Sequence, residues 1–236
     1  MDSKVLESLM IPEYEIATEG LGGDIKTFFK SIGNKIIIIL HKFIALIDKI
    51  INFIKNKGKN IHTDKETFLK AYRLSNEAYP LLLDNIRSTY VIVDLLSFSV
   101  FDIGIHATNA ADYHDINIEH AEERYSKAVD KFNKLKSLIG NETIYFTKDF
   151  RDHLMKALVD GKMRFEKAED RVRNLIRDEL EKDVSVNNSD AQTKRANDYL
   201  NYLTKCSALF GEISNFINQH VSNDIITDKD ILKNVP

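Results

Sequence analysis

The stretch DIKTFFKSIGNKIIIILHKFIALIDKIINFIKNK, residues 24 to 57, decides the fold class of this chain. Its polar residues recur at gaps of three, four or multiples of these, and isoleucine, leucine and phenylalanine fill most positions between them. The polar positions that define the period are Asp24, Thr27, Ser31, Asn34, His41, Lys42, Asp48, Lys49, Asn52, Lys55 and Asn56. This period predicts an amphipathic α-helix with a wide apolar face and a narrow basic face. We expect it to run from about Gly22 to Lys57.

The rest of the chain also favours helices. Only nine glycines and three prolines occur in 236 residues, too few for an all-β design with many tight turns. Heptad-like apolar spacing recurs over residues 117–138, 148–182 and 190–221. The predicted fold class is therefore all-α, with the N-terminal amphipathic helix followed by an antiparallel helical bundle of long, coiled-coil-like helices.

Several local signals mark where these helices begin and end. Pro80 is expected to kink or break a helix that starts after the capping residue Thr63. Residues 59–63 are predicted to be a linker, residues 143–146 the one short β-like run, and residues 227–230 the cap of a final helical turn.

Charge divides the chain into three segments. Residues 1–19 carry five acids and one lysine, a net charge of −4, and form an acidic leader that is a candidate propeptide. Residues 20–60, which contain the amphipathic helix, carry eight lysines and two aspartates, a net charge of +6. The predicted bundle, residues 61–236, is mildly acidic. Such asymmetry bears on the partners of a protein rather than on its fold.

The sequence offers little catalytic chemistry. It contains no phosphate-binding loop and no recognisable arrangement of nucleophile and base, so we expect no enzyme activity and no cofactor. A histidine and carboxylate cluster between His106 and Glu123 matches no metal-binding spacing, and we predict no metal site there. Cys206 lies in an apolar register between Leu203 and Phe210, which indicates a buried structural thiol.

The amphipathic helix supplies the candidate binding residues. Those expected to contact a membrane or a partner are Phe28, Phe29, Lys30, Lys35, Lys42, Phe43, Lys49, Phe53 and Lys55. A broad Ile/Phe face beside lysines, without arginine, suits a membrane surface or a partner groove better than a nucleic-acid reader. The alternative interpretation is that this helix packs on the body of the protein as a core element.

The N-terminal quarter of the chain resembles a known class of proteins. Residues 11–15 (IPEYE), residues 16–20 (IATEG) and a lysine-studded Phe/Ile helix containing Phe28-Phe29-Lys30 and Phe53-Ile54-Lys55 follow one another. This order resembles internal virion proteins of large tailed bacteriophages, which a prohead protease trims after Glu in a small-or-aliphatic-x-Glu motif. The resemblance implies a processing site at Ala17, Thr18 and Glu19, with Gly20 as the new N-terminus.

The expected function is that of a bacteriophage internal virion structural protein, made in the host cytoplasm and placed in the virion interior, beside DNA or ejected with it. Its expected partners are other virion proteins, with a membrane, non-specific contact with DNA and self-association as further candidates. One alternative is a membrane-active helical protein, a pore former or effector, that inserts its N-terminal helix. Another is a helical protein-binding adaptor.

Overall fold

The structure is a computed structural model, and it describes residues 25–56, 58–105, 110–146, 148–181 and 190–228. These residues form five long helices: α1 (Ile25–Lys55), α2 (Lys65–Ile105), α3 (Ala110–Ile139), α4 (Lys148–Glu181) and α5 (Asp190–His220). They also form four short strands: β1 (Asn60–Thr63), β2 (Ile144–Tyr145), β3 (Val221–Ser222) and β4 (Ile225–Asp228). The prediction of a mostly helical chain is confirmed.

The helices share one apolar core. α1 packs on α4 and α5, α2 packs on α3, α4 and α5, and α3 also contacts α5. At the centre, α1, α2, α4 and α5 each contribute one aromatic ring, from Phe43, Tyr90, Phe165 and Phe210 respectively. The Phe43 ring centroid lies 5.0 Å from that of Phe165 and 5.5 Å from that of Phe210, and the Tyr90 centroid lies 5.2 Å from that of Phe165. These rings join the helices through a buried aromatic centre.

Neighbouring helices run in both relative directions. α1 and α4 are antiparallel, because Asp48 pairs with Lys162 while His41, earlier in α1, pairs with Glu169, later in α4. α2 and α4 are parallel, because Tyr79 stacks on Phe150 and Asp94, further along α2, pairs with Arg164.

Pro80 lies inside α2, so of the predicted kink or break the break does not occur. Proline removes the hydrogen bond to the carbonyl four residues earlier, here that of Asn76. Pro80 and Asn76 both lie on the exposed side of α2, where water can solvate that carbonyl. Buried neighbours on the opposite side, Ala78, Tyr79 and Leu82, hold the helix together across this position.

The strands form two parallel pairs that the sequence did not indicate. β1 pairs with β4, with Asn60 opposite Ile225, and β2 pairs with β3, with Ile144 opposite Val221. Most of the predicted linker at residues 59–63 is therefore a strand, and the β-like run at residues 143–146 does contain one. Of the predicted cap at residues 227–230, Thr227 and Asp228 belong to β4, while the rest of the cap and the turn after it lie outside the described residues. Asp64, rather than Thr63, caps α2 by accepting a hydrogen bond from the Thr67 amide at 2.9 Å.

Candidate binding surface

Packing divides α1 into two sides. Its apolar side is buried against α4 and α5 and contains ten side chains that are at most 6% exposed. They are Ile32, Ile36, Ile37, Ile39, Leu40, Phe43, Ile47, Ile50, Ile51 and Ile54. Isoleucine is a modest helix former, but burial of these side chains outweighs that cost. The wide apolar face is explained by two covering helices instead of one.

The opposite side of α1 faces solvent, and we call it the lysine face. Its exposed residues are Lys30, Ser31, Asn34, Lys35, Ile38, His41, Ala45, Lys49, Asn52, Lys55 and Asn56, and Lys42 lies half-buried at its edge. Partial burial lowers the pKa of Lys42. Among the described residues, no hydrogen bond or ion pair engages the side chains of Lys30, Lys35, Lys49 or Lys55. The face therefore carries cations that are available to a partner.

The acidic residues beside the lysine face are neutralised. Asp48, on α1 itself, accepts two hydrogen bonds from Lys162 Nζ at 2.7 and 2.9 Å, and these bonds raise the pKa of Lys162. Glu169, on α4, contacts His41 Nε2 at 2.9 Å and accepts hydrogen bonds from Arg173. Partial burial opposes ionisation of Glu169, but the hydrogen bonds from Arg173 and His41 prevail and lower its pKa. Both carboxylates also tie α1 to α4.

The predicted binding residues separate in the structure. Lys30, Lys35, Lys49 and Lys55 lie on the lysine face, with Lys42 at its edge, whereas Phe43 is fully buried and Phe53 is half-buried. Phe28 and Phe29 belong to α1, but their side chains lie outside the described part of the structure, as does the whole of the processing site Ala17, Thr18, Glu19 and Gly20. A single surface that combines the lysines with Phe43 is therefore absent from the docked helix.

Sequence reasoning missed two parts of the surface. The first is the set of exposed polar residues between the lysines, Ser31, Asn34 and Asn52. The helical period places them beside the lysines, but they were not counted among the candidate binding residues. The second is an open groove of about 590 Å³ between α2 and the start of α4, bounded by Pro80, Arg87, Asp149 and His153. Its charged lining consists of Asp84, Asp149 and Arg87.

Two further predictions concern cysteine and metals. Cys206 is buried as expected, and burial raises the pKa of its thiol to about 12, so that the thiol stays protonated at neutral pH. In the part of the chain that the structure describes, no group of three or more His, Cys, Asp or Glu side chains is placed to hold a metal ion. Of the cluster between His106 and Glu123, His106 and the side chains of Asp112, His114 and Asp115 lie outside the described part of the structure.

None of the described helices is long and apolar enough to cross a bilayer. Comparison of the chain with protein-family models, curated proteins and solved structures finds no match.

Proposed function

We propose that this chain is a structural protein of the bacteriophage virion interior, non-enzymatic, packaged beside DNA or ejected with it, and matured by cleavage after Glu19. Its scaffold in this proposal is a helical bundle in which consecutive long helices, with coiled-coil-like spacing, alternate in direction. The proposal rests first on the resemblance of residues 11–20, 28–30 and 53–55 to internal virion proteins. Other virion proteins and DNA are its proposed partners.

The observation that carries the proposal is the packing of α1. This helix is part of the core and turns its lysines outward, an arrangement that suits a rigid protein with a cationic surface. The cleavage site after Glu19 itself lies outside the described residues. Cleavage would remove a net charge of −4 and leave a mature chain of about +1.

The same packing argues against the membrane-active alternative. Insertion of the α1 apolar face would first require α1 to leave α4 and α5. Burial of a large apolar side chain is worth about 1.5–3 kcal/mol, so ten of them represent about 15–30 kcal/mol. A typical domain is stable by only about 5–15 kcal/mol, so release of α1 would amount to unfolding of the whole body.

The test is mass spectrometry of purified particles of a phage that encodes this chain. We expect peptides that cover the described helices and an N-terminal peptide that starts at Gly20. The matched control is Glu19→Gln, which removes the acidic residue of the motif and should leave the leader attached. Particles without the chain would refute a virion location, and particles in which wild-type chain still carries residues 1–19 would refute processing.

A further inference from the structure

We propose that the lysine face of α1 binds the phosphate backbone of duplex DNA, without sequence preference and with α1 still docked in the core. This inference deepens the proposed function, on which it rests, by assigning the partner to a surface. The sequence alone favoured a membrane or a partner groove, because the Ile/Phe face was counted with the lysines. Because that face is buried, mainly lysine, serine and asparagine side chains of α1 remain exposed.

The exposed side chains of α1 are of the types that contact DNA phosphates. Proteins contact DNA phosphates with lysine ammonium groups and with the hydroxyl and amide groups of Ser and Asn. The exposed side of α1 is built from these types: Lys30, Ser31, Asn34, Lys35, Lys49, Asn52, Lys55 and Asn56. Ile38, which is 53% exposed, is the one large aliphatic side chain among the exposed residues described on α1.

The charge on this surface is not cancelled by its surroundings. The only acid on α1 between Lys30 and Lys55 is Asp48, and Lys162 of α4 satisfies it with two hydrogen bonds. Across the boundary with α4, Glu169 is engaged by His41 and Arg173. Lys162 is shared with Glu166 of α4, at 3.9 Å, but Lys30, Lys35, Lys49 and Lys55 remain as cations that an approaching polyanion can meet.

The dimensions of the lysine face fit a duplex. At 1.5 Å per residue, Lys30 and Lys55 are separated by about 37 Å along the helix axis, close to one turn of B-DNA at about 34 Å. Lys35, Lys42 and Lys49 are spaced by seven residues, so they lie nearly in line at intervals of about 10 Å. The exposed residues that the structure describes on α1, from Lys30 onward, include no arginine, whose contact with guanine is the commonest specific one, and no Phe, Tyr or Trp on which a base could stack. The contact is therefore with the backbone and independent of sequence.

An anionic membrane is the competing partner, and the structure favours it less. An interfacial helix binds lipid by sinking its apolar face into the headgroup region. On α1 that face is covered by α4 and α5, and among the α1 side chains that the structure describes Ile38 is the one large aliphatic group left exposed. Lysines without an adjacent apolar face bind a partner through electrostatic attraction, as they do when they contact DNA phosphates.

The experiment is fluorescence anisotropy of a labelled 20-base-pair duplex titrated with the full chain at 50 to 200 mM salt. Contacts from Lys30, Lys35, Lys49 and Lys55 predict a slope of log affinity against log salt of about −3.6, or a loss of about a hundredfold over this range. Replacing two of them, in Lys35→Gln/Lys49→Gln, should reduce the slope by about 1.8. Both side chains are exposed, so the variant should fold as wild type.

The matched control is Lys134→Gln/Lys156→Gln, which removes the same charge from exposed positions on α3 and on α4. It should keep the wild-type slope. Equal slopes for the two double variants, a sequence-dependent affinity, or no binding at 50 mM salt would overturn the proposal. Binding to phosphatidylserine vesicles in place of the duplex would also overturn it and would assign the face to a membrane. Because particle mass spectrometry is independent of this assay, failure here leaves the virion location standing.

Discussion

Two helical glycines have opposite surroundings and therefore predict opposite effects of one substitution. A β-carbon at Gly161 of α4 would overlap the Tyr90 ring, which is only 5% exposed and held in the aromatic centre. A β-carbon at Gly211 of α5 would meet no atom within 4 Å. Alanine is a better helix former than glycine by about 1 kcal/mol. Gly211→Ala should therefore raise the free energy of unfolding by about 0.5–1 kcal/mol, whereas overpacking in Gly161→Ala should lower it by about 1–2 kcal/mol.

Urea denaturation followed by circular dichroism measures both changes. The control for the mechanism is the Tyr90→Leu background, in which the smaller side chain makes room for the new methyl group. There Gly161→Ala should cease to destabilise. If Gly161→Ala stabilised the wild-type protein as much as Gly211→Ala does, close packing of α2 on α4 at Tyr90 would be ruled out.

At the scale of the element, the attachment of α1 to α4 predicts a dependence on pH. The pKa of Glu169 lies below its usual value of 4.5 in the fold because Arg173 and His41 donate hydrogen bonds to its carboxylate. A lowered pKa means that the ionised form stabilises the fold. This contribution is fully present above the unfolded pKa and is lost as pH falls through the folded pKa. Glu169→Gln should thus cost about 1 kcal/mol at pH 7, and the cost should disappear in acid.

Thermal melting of wild type and variant from pH 7 down to pH 3 gives this difference directly. Glu166→Gln is the matched control: its carboxylate is half exposed and lies 3.9 Å from Lys162, so its loss should change stability little at any pH. A Glu169→Gln effect that stayed constant down to pH 3 would show that ionisation of this carboxylate does not hold α1 to α4.

α1 also shows how far sequence reasoning reaches. The periodicity of residues 24–57 predicts the helix and its two faces, because each face is a local property of the chain. It does not predict that both α4 and α5 cover the apolar face, because their approach depends on contacts with residues more than a hundred positions away. The exposure of the lysines therefore follows from the period, whereas the burial of Phe43, which was grouped with them as a candidate binding residue, follows from the covering helices.

Sequence also fails to predict the outcome at Pro80 and the strand β1, for two different reasons. Pro80 predicts the loss of one helical hydrogen bond. Whether the helix continues through it depends on solvent access to the Asn76 carbonyl and on packing of the opposite side of the helix. β1 is four residues long, with alternating exposed and half-buried positions and no strong strand signal of its own. It is a strand because it meets β4, 165 residues later in the chain. A pairing at that separation leaves no local pattern to read.

At the scale of the whole molecule, one end is closed by contacts between distant parts of the chain. We call these contacts the clasp: residues 58–63 against residues 222–228. The Lys59 amide donates to Asp224 Oδ1 at 2.7 Å, and the Ile225 amide donates to the Lys59 carbonyl at 2.9 Å. Asn223 Nδ2 donates to the Phe53 carbonyl at 2.6 Å, and so satisfies an unpaired carbonyl at the end of α1. The clasp thereby connects the ends of α1 and α5 to the start of α2.

Gly58 lies just after α1 and lets the two segments of the clasp meet. The φ of Gly58 is not positive. Gly140, directly after α3, does have a positive φ, of 54°. A β-carbon at Gly58 would overlap the backbone of Asn223 and Asp224, which cannot move aside as the tip of a side chain would. Gly58→Ala should therefore separate β1 from β4 and lower the free energy of unfolding by about 1–3 kcal/mol.

Amide hydrogen exchange shows which part of the protein loses stability in Gly58→Ala. In Gly58→Ala the amides of Ile61 and Ile225 to Thr227 should exchange faster than in wild type, while amides around Phe43 and Phe210, at the aromatic centre, should lose protection only to the extent that global stability falls. Asp224→Ala, which removes one hydrogen bond of the clasp without a steric overlap, should produce the same pattern at smaller amplitude. Unchanged exchange at β1 and β4 in Gly58→Ala would mean that the two strands are not held by close approach at Gly58, and that α1 and α5 are joined by their buried side chains alone.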